Sequence, residues 1–134
     1  LRLMAAGELP PPPIAQTLGF ELIEVGDGSA AFTIEPAAFH YNPIGVVHGG
    51  LALTLLDSAM GCAVHSTLAA GVAYTTLEMK ANFVRPLTSS TGLVRCTGTL
   101  VHPGRTVATA EGRIVDASGK LYAHGTSTLL ILGD

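Results

Sequence analysis

Asp57 is the residue whose chemistry most needs explaining in this sequence. It sits among Leu53, Leu55, Leu56, Ala59 and Met60, and a carboxylate in apolar surroundings is disfavoured unless it has a partner. Two readings are open: a buried carboxylate that caps a backbone group or pairs with a neighbouring arginine, or a general base or nucleophile tuned by its environment. Upstream, His48-Gly49-Gly50 supplies the complementary equipment. Glycines where a chain enters a helix leave backbone N–H groups unpaired, and these, with the helix dipole, stabilise negative charge. In outline that is an oxyanion hole. The plainer alternative is that the two glycines only permit a tight turn or close helix packing.

Both features need a helix to hold them. From Gly50 to about Ala70 the chain is rich in Leu, Ala and Met, lacks proline and closes at Gly71, which predicts one helix, apolar nearly all round and hence buried. Asp57 lies eight residues beyond Gly49, so at 1.5 Å per residue the two are about 12 Å apart along one helix. A nucleophile and an oxyanion donor must each lie about 3 Å from the same reacting group. If both act, they therefore come from different subunits, with two such helices antiparallel about a two-fold axis and each site built twice.

Around the helix the sequence reads as β-structure. Phe20 to Val25 and Ser29 to Glu35 flank Gly26-Asp27-Gly28 as a hairpin. After Gly71 the period becomes two, with strands predicted over Thr75 to Val84, Gly92 to Val101, Thr106 to Val115 and Leu121 to Leu132. In the third of these, Ala108, Ala110, Gly112 and Ile114 form a small apolar face. Leu1 to Pro13 ends in four prolines and reads as an extended arm without regular helix; residues 14–134 form the domain proper. The expected fold is α+β, an antiparallel sheet wrapped around one long central helix. One helix cannot cover both faces of such a sheet, and exposed edges are commonly closed by self-association.

Composition narrows the function classes. The chain has 134 residues, 48% of them apolar and only 13% charged, an oily balance that subunit contacts would absorb. No run of 18 uncharged apolar residues suggests a membrane span, because Asp57 interrupts the oiliest stretch. A net charge of −3 without a basic stripe disfavours nucleic acid. Cys62 and Cys96 have no framework spacing, which suits reduced thiols, and no export leader is visible, so a cytoplasmic location is expected. His40, His65, His102 and His124 show no metal-ligand spacing, and Ser58 and Ser127 lack a nucleophile elbow.

Three segments in order, Asn42-Pro43-Ile44-Gly45-Val46-Val47-His48-Gly49-Gly50, Leu56-Asp57-Ser58-Ala59 with Gly61, and Thr76 to Pro86, resemble the hotdog-fold thioesterases, most closely the PaaI-like acyl-CoA thioesterases of the phenylacetate-degradation type. The likeness runs from about Leu18 to Leu130 and includes Gly104-Arg105 and Asp116 to Leu121. It implies hydrolysis of an acyl-CoA at a homodimer interface, within a homotetramer, with no cofactor and no metal, CoA being part of the substrate. By motif position Asp57 corresponds to the catalytic carboxylate, Gly49 to the donor that polarises the thioester carbonyl, and Asn42 to the polar residue ahead of the turn. Thr76 matches the Ser or Thr that orients the attacking water, with Thr75 as the neighbouring register. His48 is either a proton carrier or, as the family pattern favours, a structural residue of the turn.

Coenzyme A carries several phosphate charges, so an acidic protein must hold it with local cations. Arg85, Arg105 and Lys80 are the candidates, and Phe39, Tyr41, Leu53 and Leu56 the candidates for an acyl pocket. Two other functions stay in view: a hotdog hydratase or dehydratase, which needs an acid/base pair, and a non-catalytic acyl-CoA-binding protein.

Overall fold

The computed structural model describes residues 1–133; Asp134, the end of the expected domain, lies outside the described residues. Two short helices, α1 (Arg2–Ala5) and α2 (Pro13–Leu18), precede the hairpin of β1 (Glu21–Gly26) and β2 (Ser29–Ile34). A 3-10 turn at Ala38–His40 and a loop then lead into α3 (Gly49–His65), after which β3 (Ala73–Phe83), β4 (Val94–His102), β5 (Val107–Asp116) and β6 (Leu121–Leu132) follow. The six strands form one antiparallel sheet in the order β1-β2-β4-β5-β6-β3. The long helix lies across one face, giving the expected hotdog fold. Among the described residues no helix is long and apolar enough to cross a membrane.

How closely α3 approaches the sheet is set by a row of small residues. Ala30, Gly98, Gly112, Gly125 and Ala81 are register partners across β2, β4, β5, β6 and β3. A Cβ at Gly98 would run into the Ala59 carbonyl, and one at Gly112 would lie 2.9 Å from Leu56 Cδ2. The helix segment that carries Asp57 is thus seated in a trough that only glycine leaves open. Leu55, Leu56, Ala59, Met60 and Ala63 are fully buried there.

The other side of the helix differs from expectation. Gly50, Leu53, Thr54, Asp57, Ser58 and Cys62 are only half-buried, because one sheet covers one side of a cylinder and no second layer among the described residues covers the other. The helix also stops at His65 instead of Ala70. There the Ser66 and Thr67 hydroxyls donate to the carbonyls of Ala63 and Val64, and the chain tightens into a turn. The arm differs too: α1 forms within the stretch expected to hold no helix. The prolines restrict residues 9–13, whereas Leu1 to Ala6 are free to close a turn through Ala5 N–H to Leu1 O at 2.9 Å. Pro13 itself begins α2, where its missing N–H is not needed.

β3 is an edge strand with a bulge between Thr76 and Glu78. Without it, strict alternation would put Thr76 and Met79 on opposite faces. With it, Tyr74, Thr76, Met79 and Ala81 are the half-buried positions of the strand, and they turn towards α3.

Candidate active site

The turn before α3 is held by backbone and side-chain bonds that leave one donor free. Asn42 Oδ1 accepts from the N–H groups of Ile44 at 3.1 Å and Val46 at 3.2 Å, closing the loop around Gly45 at φ +90°. The backbone N–H of His48 bonds to the His40 carbonyl at 2.8 Å. His40 is itself buried, its Nδ1 accepting from Ala37 N–H at 3.0 Å. Its Nε2 therefore carries the proton and donates to the Leu18 carbonyl at 2.8 Å. His48 is the N-cap of α3: its Nδ1 accepts from Gly50 N–H at 2.8 Å. Leu51 N–H bonds to the His48 carbonyl. The N–H of Gly49 makes no hydrogen bond among the described residues, so an unused donor stands at the first residue of the helix.

Gly49 lines a cavity of about 280 Å³ together with Asn42, His48, Ala52, Phe83 and Arg85, among others. Phe83 closes one side, its ring tip 3.4 Å from where a Cβ of Gly49 would stand. Arg85 is held at the mouth by a bond from Nη1 to the Leu121 carbonyl at 2.9 Å. Behind the His48 turn a second cavity of about 320 Å³ is lined by Leu18, Phe39, Tyr41, His48 and Thr54. Phe39 projects openly beside it, 70% exposed.

Two turns along the helix, Asp57 stands on the half-buried stripe with one hydroxyl fixed to it. Thr76 Oγ1 donates to Asp57 Oδ1 at 2.7 Å, a charge-assisted contact. Thr75 pairs with Leu130 and is exposed, so the hydroxyl that reaches Asp57 is that of Thr76. Farther along the helix stand Cys62, on the same half-buried stripe, and Tyr74, whose ring lies against Gly61. Burial pushes the Cys62 thiol up to about 11. The Tyr74 phenol goes up to about 12, first through burial and then through its neighbours Cys62 and Asp57. Both stay protonated in any ordinary buffer.

The expected site residues thus fall into groups. Asn42, His48, Gly49 and Arg85 surround one cavity, and Asp57 and Thr76 form a second station on the same helix. Arg105 lies in the β4–β5 turn, beside the Ile131 end of β6, whereas Arg85 lies beside its Leu121 end. Ten residues of strand separate them, about 33 Å. Lys80 points to the sheet face away from the helix, between the inward Met79 and Ala81. Leu56 is fully buried against Gly112 and cannot line an acyl pocket. Among the described residues no cluster of three or more His, Cys, Asp or Glu could hold a metal.

A profile of the thioesterase superfamily matches residues 44–123, from the loop before Gly49 to the start of β6. The chain belongs to the thioesterase superfamily. Its class of activity is accordingly thioester hydrolysis. A 1,4-dihydroxy-2-naphthoyl-CoA hydrolase of Listeria monocytogenes is 25% identical over 118 residues, 88% of this chain and 94% of that one. A thioesterase family protein from Silicibacter pomeroyi superposes with a TM-score of 0.86 at 26% identity, over 99% of this chain and 98% of that one. The E. coli PaaI protein from the phenylacetic acid degradation operon has the same fold, with a TM-score of 0.86 over 98% of this chain and 93% of its own at 24% identity.

The superfamily match spans both stations of the helix and the strand that carries Thr76. Outside what motif spacing could reveal lie His40, which ties α2, the 3-10 turn and the His48 turn together, and Tyr74. For His40 the only sequence signal is a histidine between aromatic residues, which does not distinguish a core ligand of the backbone from a surface side chain. For Tyr74 a usable signal exists: it stands two residues before Thr76, hence on the same strand face.

Proposed function

We propose that this thioesterase hydrolyses an acyl-CoA to free acid and CoA in sites shared between two copies of the chain. The observation that carries this reading is the division of labour along α3. The free Gly49 N–H and the Thr76-bound Asp57 lie on one rigid helix, about 12 Å apart, too far to act on one carbonyl. The half-buried stripe of α3 and the unpaired outer edge of β3 are continuous with each other. Pairing both with a second copy about a two-fold axis brings the Gly49 of one chain towards the Asp57 of the other, twice. The same antiparallel arrangement turns the Arg105 end of the partner subunit's sheet towards Arg85, which supports these two as holders of the CoA phosphates better than Lys80, on the far face.

In this site Asp57, fixed by Thr76, takes a proton from water, and the water oxygen attacks the thioester carbonyl carbon. The oxyanion that forms is met by the Gly49 N–H of the other subunit, reinforced by the helix dipole. When the intermediate collapses the C–S bond breaks and the CoA sulfur takes the proton from Asp57, so that thioester and water become acid and thiol. Direct attack by Asp57 through a mixed anhydride uses the same geometry. Oxygen-18 water in a single turnover separates the two, since label enters Asp57 only by the anhydride route. Asn42, whose Oδ1 is occupied within the loop, has its NH2 left to offer to the substrate.

A hydratase would need an acid/base partner at Asp57, and the group found on it is the hydroxyl of Thr76. The direct test is a thiol-release screen across aryl- and medium-chain acyl-CoAs with Asp57→Asn as control. Turnover undiminished in that variant removes Asp57 from the mechanism, and ligand binding without thiol release from any of the panel favours a carrier. Site sharing has its own test. Asp57→Asn and Gly49→Pro chains refolded together at equal amounts should recover about one quarter of wild-type activity, because half the dimers are mixed and each holds one intact site. Recovery of none would mean that each chain works alone.

A further inference from the structure

Tyr74 is not accounted for by anything above. Strand β3 and helix α3 run side by side in opposite directions, so that Thr76 meets Asp57 and, two residues back along the strand, Tyr74 meets Gly61, four residues on along the helix. The two steps match, about 6.6 Å of strand against about 6 Å of helix. Residue 61 lies one helical turn beyond Asp57, buried under the strand where Asp57 is half-buried. Any side chain there would be in the way: a Cβ at Gly61 would stand 2.7 Å from the Tyr74 hydroxyl and 2.9 Å from its ring carbon Cε2. The glycine therefore vacates a space that the phenol of Tyr74 occupies.

The hydroxyl placed there is not committed elsewhere. No hydrogen bond of the Tyr74 oxygen to another residue is found among the described residues. Among the described residues no sealed polar atom lacks a partner either, so the oxygen is reachable by solvent. Burial, then Cys62 and Asp57, keep the phenol protonated. It is a neutral O–H donor at every working pH, near enough to Asp57 to feel its charge without being bonded to it. One Asp57 oxygen is held by Thr76; the other is left for water.

We propose that Tyr74 is a positioning residue for hydrolysis, its hydroxyl holding the attacking water against the Asp57 carboxylate from the Gly61 side while Thr76 holds the carboxylate itself. This rests on the reading of Asp57 as the group that activates water. The phenol donates a hydrogen bond and keeps its own proton, so the overall reaction is unchanged.

The test compares Tyr74→Phe, Gly61→Ala and Asp57→Asn in thiol release, with melting temperatures for all three. Tyr74→Phe removes only the oxygen. It should lower kcat about ten- to a hundredfold with KM within about threefold and the melting temperature within about 3 °C. Gly61→Ala, which pushes the phenol aside, should show the same fall in kcat. A Tyr74→Phe enzyme with wild-type kcat overturns the proposal, as does a loss that appears wholly in KM. Asp57→Asn separates the two levels: if it is inactive while Tyr74→Phe is fully active, only the role of Tyr74 fails. If Asp57→Asn is active, the reading beneath it fails as well.

Discussion

Replacing Gly49 by proline removes the proposed oxyanion donor while leaving almost everything else in place. Gly49 is the first residue of α3, the position at which a helix tolerates proline because the N–H there has no partner within the helix. His48 already has φ −57° and ψ 131°, the extended region that a residue preceding proline must adopt. The new Cβ would lie 3.4 Å from the tip of the Phe83 ring, close contact but at a ring edge that can shift. The cap from His48 to Gly50 N–H does not involve the substituted nitrogen. Stability should therefore change by no more than about 1 kcal/mol in either direction. Activity should not be spared: loss of one oxyanion donor costs about 100- to 1,000-fold in kcat. Gly49→Ala is the matched control, since it adds the same Cβ and keeps the N–H, and its kcat should stay within about fivefold of wild type. Both variants would be assayed by thiol release on the acyl-CoA that the wild type turns over fastest, with circular dichroism melts alongside. If Gly49→Pro is folded and as active as Gly49→Ala, the Gly49 N–H is not the donor.

Thr76→Val deletes the 2.7 Å bond to Asp57 while keeping the branched shape; kcat should fall about tenfold or more, by loss of a hydrogen bond to a charged group. His48→Ala should cost about 1 kcal/mol through the lost cap, read as a lower melting temperature, and His48→Asn should restore most of it because Asn also caps; a proton-carrier role would leave His48→Asn stable and inactive. Gly98→Ala drives a Cβ into the Ala59 carbonyl and should destabilise by about 1–3 kcal/mol, visible in denaturant melts. Burial raises the Cys62 thiol from 9.0 to about 11. Within that window the folded chain holds a proton that the unfolded chain releases, so this contribution to stability falls as pH rises. Alkylation of Cys62 should likewise be slow near neutrality and accelerate up to about pH 11, followed by mass spectrometry.

Much of the fold was legible because period and punctuation agree. β6 occupies the expected Leu121–Leu132, and β5 buries Ala108, Ala110, Gly112 and Ile114 as its alternation requires. The helix was readable at its start, where His48 and two glycines mark a cap, and less so at its end. Ser66 and Thr67 turn their hydroxyls onto helix carbonyls, a competition that apolar composition does not record. The β3 bulge was invisible for a related reason: one extra residue shifts the phase of the strand, and residue types alone do not say where. The row from Ala30 through Gly98, Gly112 and Gly125 to Ala81 exists only once register is known, because its members are far apart in sequence. Of the site, Asp57 and Gly49 stood out by chemistry, and their incompatibility within one chain followed from helix rise alone. The separation of Arg85, Arg105 and Lys80 did not, since it depends on strand direction and face.

The strand that brings Thr76 and Tyr74 to the helix is also an edge strand of the sheet. An exposed edge with Leu77 and Phe83 each 54% accessible is a template for unwanted strand addition. Closing it on a copy of itself would at once complete the chemistry and hide the hazard. Mutations that loosen that edge would then be felt twice, as lost turnover and as aggregation in the cell. The solubility of expressed variants would report on the same surface as their rates.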